Sequence, residues 1–171
     1  AISANGRYVA FWSYASNLVP GDTSSSKWDV FVHDRMAGTT IRVSVANNGE
    51  SGNGASAYPS ISANGRYVAF YSSANNLVPN DTNQRTDIFI HDLITGTTSR
   101  VSVDSNGAQA NGQSLYPSIS ADGRYVAFSS SASNLVLNDT NGKPDIFVHD
   151  LVGGATTRVS VTSDGTQANG D

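Results

Sequence analysis

Short bursts of apolar residues, alternating or contiguous and separated by Gly, Asn, Asp and Pro, run the length of this chain, and no stretch keeps a helical period. The clearest stretch predicts four strands: Tyr116 to Ser120, Arg124 to Ser130, Asp145 to Leu151 and Thr156 to Val161. Ala121-Asp122-Gly123 joins the first two, with Gly123 expected to supply the positive φ of a tight hairpin, and Gly153-Gly154 joins the last two. A longer connection, Ala132 to Pro144, separates the second strand from the third, and Thr162 to Asp171 forms a crossover. Ile146, Phe147 and Val148 are consecutively apolar, which marks a strand covered on both faces.

This pattern occurs three times. Gly-Arg-Tyr-Val-Ala-Phe begins at Gly6, Gly65 and Gly123, an Asp-(Val/Ile)-Phe-(Val/Ile)-His-Asp run begins at Asp29, Asp87 and Asp145, and Arg-Val-Ser-Val begins at Arg42, Arg100 and Arg158. A period of about 58 residues belongs to arrays in which one unit cannot bury its own apolar faces and needs its neighbours. Four short antiparallel strands and a crossover per unit describe a propeller blade, since each blade presents both faces to neighbours. A β-solenoid fits less well, because its coils repeat over shorter spans. The expected organisation is all-β: blade 1 over residues 1–57 with its first strand truncated, blade 2 over 58–115, and blade 3 with its crossover over 116–171. Ala1-Ile2-Ser3 aligns with Ser60-Ile61-Ser62, inside a repeat, which suggests a mature product or an excerpt of a longer array.

Ile-Ser-Ala-Asp-Gly-Arg-Tyr-Val-Ala-Phe at Ile119 to Phe128, followed by Asp-Ile-Phe-Val-His-Asp at Asp145 to Asp150, resembles the WD-repeat-like blade of the TolB-type bacterial propellers. Blades of that family carry a Ser-Pro-Asp-Gly turn, an Ile-Ala-Phe strand and an Asp-Ile-Tyr-Val strand. The resemblance covers all three units. It departs in the turn, where Ala stands for Pro, and in an Asn-Leu-Val-Pro-Asn-Asp-Thr type insertion between the second and third strands. It implies a propeller fold, periplasmic or extracellular placement, and a scaffold or binding role; it implies no ligand.

The net charge of −4 gives no case for nucleic acid or anionic membranes as partners, since phosphate backbones call for concentrated Lys and Arg. No apolar run approaches the length of a membrane span. With no cysteine, disulfides and thiolate metal sites are excluded. A polar surface rich in Ser, Thr, Asn and Gly suits an extracellular chain.

The insertion carries the strongest candidate chemistry. Asp139, Asn141 and Asp145 place oxygen side chains at positions one, three and seven, as do Asp81, Asn83 and Asp87, and alternate residues of a turning loop can surround Ca²⁺. The first unit has Asp22, Ser24, Ser26 and Asp29, one residue longer and weaker in charge, so calcium is expected there weakly or not at all. No bidentate Glu follows in any copy. The same residues also suit Asx-turns, with the last Asp capping the third strand.

His33, His91 and His149 occupy one blade position. Catalysis needs a residue once per site, so equal use in every unit points to structural hydrogen bonding. Arg7, Arg66, Arg124, Arg42, Arg100 and Arg158 also recur, as do nine of the fourteen acidic residues, which reads as pairing within and between blades. There is no Gly-x-Ser-x-Gly elbow and no His-Glu-x-x-His, and the only Glu, Glu50, has no designated partner. Trp12, Tyr14, Trp28 and Tyr71 break the repeat and suit a sugar platform, a protein contact or packing between blades.

The resulting expectation is a non-catalytic extracellular propeller scaffold that associates head to tail with copies of itself, two of which would make six blades. The alternatives are a carbohydrate-binding propeller and a propeller joined to an enzyme.

Overall fold

The computed structural model describes residues 1–22 and 26–170. Among them there is no helix; eleven strands form three antiparallel sheets, each in chain order. The first sheet holds β1 (Tyr8–Ser13), β2 (Asp29–Asp34) and β3 (Thr39–Arg42), and an isolated bridge between Ile2 and Val9 stands where the others have a fourth strand. The second holds β4 (Ser56–Ile61), β5 (Tyr67–Ser72), β6 (Asp87–Asp92) and β7 (Thr97–Arg100). The third holds β8 (Ser114–Ile119), β9 (Tyr125–Ser130), β10 (Asp145–Asp150) and β11 (Thr156–Arg158).

The two-residue period of a strand sends alternate side chains to opposite faces, and here both faces meet another sheet. Ala10, Val30, Val32 and Val43 of the first sheet pack on Ile61, Val68, Phe70, Leu77 and Phe89 of the second. One residue out of phase, Ala69, Ile88, Ile90 and Val101 of the second pack on Val126, Phe128, Leu135 and Phe147 of the third. This is why β6 is buried at every position and why its apolar residues are contiguous. Burial of each such Phe, Leu or Ile contributes about 1.5–3 kcal/mol, so the junctions between sheets hold the molecule together. β8 packs across β4, β5 and β6, so the leading strands of neighbouring sheets converge.

Gly6, Gly65 and Gly123 all have positive φ, as the hairpin turns require. In the third unit the strand limits differ from the sequence reading by more than one residue at two places. The first strand of the third unit begins at Ser114, two residues before the expected Tyr116, and its pairing with β9 shifts between Leu115 and Ser118. The cause is a bulge at Tyr116, which takes a left-handed φ of 55° before Pro117; Tyr58 does the same at 52° before Pro59. Proline removes the α region for the residue before it, and a left-handed tyrosine is strained, so the ladder breaks there and resumes. At the other end β11 stops at Arg158, because the chain turns so that Val161 bridges Gln167.

Candidate functional site

In the insertion loops the structure brings the predicted residues together around an arginine. Arg100 Nη1 stands 3.2 Å from Asp81 Oδ1 and 3.6 Å from Asp87 Oδ2. Arg158 Nη1 stands 3.4 Å from Asp139 Oδ1 and 3.5 Å from Asp145 Oδ2. Asn83 Nδ2 donates to Asp87 Oδ2 at 2.8 Å and to the Ala110 carbonyl at 3.0 Å, and Asn141 Nδ2 donates likewise to Asp145 and Ala168. The amide oxygens of Asn83 and Asn141 accept from the N–H groups of Arg85 and Lys143, closing Asx-turns. Ser102 Oγ donates to Asp87 Oδ1 at 2.6 Å.

In the first unit Asp22 and Asp29 face Arg42 at 2.5 and 3.9 Å, and Lys27 Nζ adds a second cation 4.0 Å from Asp29. Ser26 is exposed, and Ser24 lies outside the described residues. Burial pushes the Asp81, Asp87 and Asp139 carboxyls above the usual range, against the pull of the nearby guanidinium. Among the described residues no three His, Cys, Asp or Glu are grouped as a metal site. What the arrangement does chemically is bind a guanidinium between two carboxylates, tying the loop before the third strand to the fourth strand and the segment beyond it.

The histidines form a relay between sheets. His91 Nδ1 lies 2.9 Å from Thr98 Oγ1, which donates to the carbonyl of Val45 in the preceding sheet at 2.6 Å. His149, Thr156 and Val103 repeat it. Because the single hydroxyl proton goes to the carbonyl, Nδ1–H must be the donor to the threonine, and the ring is held as that tautomer. Burial pushes His91 and His149 below the ordinary imidazole value.

The remaining recurrent arginines pair within their own blades. Arg7, Arg66 and Arg124 clasp Asp34, Asp92 and Asp150 with Nη2 to Oδ2 distances of 2.6, 2.7 and 2.7 Å. A hollow of about 330 Å³ between the second and third sheets is lined by Tyr67, Asp92, Arg100 and His149, among others, and its charged groups and imidazole are all engaged in the pairs above.

Four aromatic rings form an exposed row across the converging strands. Trp12 stacks on Tyr58 at 5.0 Å, Tyr58 stacks on Tyr71 at 5.3 Å, and Tyr116 meets Tyr58 edge-on at 5.4 Å. Trp12, Tyr58 and Tyr116 are 43%, 44% and 59% exposed. Tyr14 and Trp28 form a separate pair. Sequence reasoning singled out Trp12 and Tyr71 and passed over Tyr58 and Tyr116, although each carries a signal in the proline that follows it.

The faces of the third sheet complete the inventory. Val30 and Ile88 are wholly buried, whereas their counterpart Ile146 is 42% exposed; Val43 and Val101 are wholly buried, whereas Val159 is 48% exposed. The side that sheets one and two cover with a neighbour is open on sheet three.

No family model and no curated protein matches the sequence. Solved structures do match in fold. TolB from Acinetobacter baumannii aligns with 19% identity and a TM-score of 0.56 over 96% of this chain and 32% of its own. A putative TolB from Agrobacterium tumefaciens aligns with 18% identity and a TM-score of 0.56 over 92% of this chain and 46% of its own. The tricorn protease aligns with 16% identity and a TM-score of 0.57 over all of this chain and 16% of its own. The chain thus spans less than half the length of each. Sheet order, the packing of each sheet on the next and these alignments agree: the chain consists of three blades of a TolB-like β-propeller fold, in a ring that these blades leave unclosed.

Proposed function

We propose that this chain is a non-catalytic propeller scaffold or interaction module that works outside the cytoplasm, in the periplasm or beyond the cell, and associates head to tail with copies of itself. The observation that carries the reading is the uncovered apolar face of the third blade, where Ile146 and Val159 stand in water at positions buried twice elsewhere in the chain. The engagement of the repeated His, Asp and Arg side chains in structural pairs supports a role without catalysis. Light scattering over a concentration series tests it: a mass above that of one chain is expected, and a compact monomer throughout would overturn it.

A carbohydrate-binding role is favoured by one feature, the exposed row from Trp12 to Tyr116. Replacing Trp12 and Tyr71 by serine, the residue at the equivalent position 129, tests that reading on a glycan array with a fold-compatible variant. The tricorn alignment raises a further reading, a propeller attached to a catalytic part outside these residues. For calcium, the loops around Asp81 and Asp139 remain the proposed sites, and a hard cation would compete there with Arg100 and Arg158 for the same carboxylates.

A further inference from the structure

We propose that Asn106 is a site of spontaneous covalent modification: the Asn106-Gly107 step closes to a succinimide, reopens as aspartate or isoaspartate, and thereby loosens the seam between the second and third blades. Both blades of this seam lie within the chain, so the site does not depend on what covers the end blades.

Glycine after asparagine permits this chemistry, because no Cβ hinders the backbone nitrogen as it approaches the asparagine side chain. The chain contains eight such steps, and the fold separates them by what it does to the amide. Asn5 and Asn64 each accept from a serine hydroxyl and from the N–H two residues on, which pins them in the hairpin turns. Asn53 and Asn111 are held at both ends of the amide by Asn75 and Ser133. The glycine behind each is pressed on backbone, since a Cβ on Gly54 or Gly112 would stand 2.5 Å from the nitrogen of Ala74 or Ala132. Asn141 is tied to Lys143, Asp145 and Ala168, and Asn48 accepts from the Glu50 N–H at 3.0 Å. Among the described Asn-Gly steps, only Asn106 and Asn169 carry a side-chain amide without a hydrogen bond.

Asn106 also has room to move. It is exposed and borders a hollow of about 360 Å³ together with Asp104, Ser105 and Leu135. Gly107 has a φ of 86°, and a Cβ there would meet nothing within 4 Å. The bond from its N–H to the Asp104 carbonyl, at 3.0 Å, has counterparts at Gly6, Gly49 and Gly65, so it slows these turns alike.

The reaction balances with water alone. The Gly107 nitrogen gives its proton to solvent and bonds to Asn106 Cγ; the bond from Cγ to the amide nitrogen breaks, and that nitrogen leaves as ammonia with a proton from water. Water then adds to one of the two imide carbonyls. Opening on one side leaves aspartate at position 106, and opening on the other runs the main chain through the side chain, one atom longer.

Neither product suits the turn. In the third unit the equivalent Asp164 accepts the hydroxyl of Thr162. The second unit has Asp104 at that place, a carboxylate already accepting from the N–H groups of Asn106 and Ala108 at 2.8 and 2.7 Å, and it would repel a second one. The longer linkage breaks a turn closed from the Asp104 N–H to the Ala108 carbonyl at 2.8 Å. That turn carries the seam: the Ser105 hydroxyl accepts from the Thr156 N–H at 3.0 Å, and the Val103 carbonyl accepts from the Thr156 hydroxyl.

Ageing the folded 171-residue chain at mildly alkaline pH tests the site, with tryptic peptides read by mass spectrometry for a gain of about 1 Da and for an isoaspartyl linkage. Cleavage after Arg100 and Arg124 releases Asn106 and Asn111 in one peptide, and Asn169 reports the unrestrained rate. Asn106 is expected to convert roughly tenfold or more faster than Asn111 in the folded chain, and the two should converge in urea that unfolds it. Ageing should lower the melting temperature of the unsubstituted chain and leave that of Asn106→Gln unchanged, because glutamine there closes no five-membered ring. Equal rates for Asn106 and Asn111 in the folded chain, or an Asn106 that stays intact while Asn169 converts, overturn the site. A melting temperature that ageing changes equally in both proteins, or in neither, overturns the effect on the seam.

Discussion

The ring of Tyr67 lies so close to Gly123 that the two residues act as ball and socket between the second and third blades. The glycine does two jobs there: its left-handed backbone turns the hairpin, and its missing side chain admits the ring. Gly6 does only the first. Gly123→Ala should therefore cost about 2–4 kcal/mol, from backbone strain together with the displaced ring, against about 1 kcal/mol for Gly6→Ala in a monomeric background. Urea unfolding of both variants gives the comparison, and equal losses would show that the ring contact contributes nothing.

Arg100 neutralises two buried carboxylates. Arg100→Met strands Asp81 and Asp87 together and is expected to cost about 3–5 kcal/mol, measured by chemical unfolding at neutral pH. Calcium should raise the melting temperature of this variant more than that of the unsubstituted chain, since the cation no longer competes with the guanidinium. An identical response in both would count against calcium and arginine sharing one position.

The Arg66 guanidinium and the Ile94 N–H hold the Asp92 carboxyl down at about 2. A carboxyl whose folded value is depressed lends stability that is complete above its unfolded value, about 4, and fades as the pH falls through the folded value. Asp34 and Asp150 act in the same direction, through Arg7 and Arg124. Asp81, Asp87 and Asp139 act oppositely, because burial raises them and protonation relieves a cost. Thermal melts of Asp92→Asn should fall less steeply between pH 4 and 2 than those of the unsubstituted chain. Parallel curves would remove the pair from the acid response.

Tyr58 and Tyr116 hold their rings outward from a left-handed backbone, a conformation that asparagine adopts at lower cost. Tyr116→Asn should change stability by less than about 1 kcal/mol, the relief of strain offsetting the lost edge contacts with Tyr58 and Tyr71. Calorimetry checks this, and a loss well above that range would make the row a packing element instead of an available surface.

The strands were legible in the sequence because their pattern is local: alternation, contiguous apolar runs and turn glycines lie within a few residues of one another. The loop chemistry was legible only in part. Asp81, Asn83 and Asp87 announce a set of oxygens, but the cation they face, Arg100, arrives from a strand thirteen residues beyond Asp87, and its placement follows from sheet register. Lys27 reaches Asp29 in the first unit for a reason that spacing does not show. Trp12 and Tyr71 attracted notice by departing from the repeat, whereas Tyr58 and Tyr116 keep it and so passed as scaffold.

The threonine that crosses from each blade to the one before it has a consequence for folding. Thr98 finds Val45 and Thr156 finds Val103 across 53 residues, yet every threonine of this type is equally suited to every valine of this type. A chain emerging blade by blade meets the correct partner first because it is the nearest. A chain refolding from denaturant has no such order, and skipped or exchanged blades become its natural kinetic traps. The same interchangeability means that whole units can be gained or lost in evolution without redesigning a junction, since each new seam arrives with both of its halves already written.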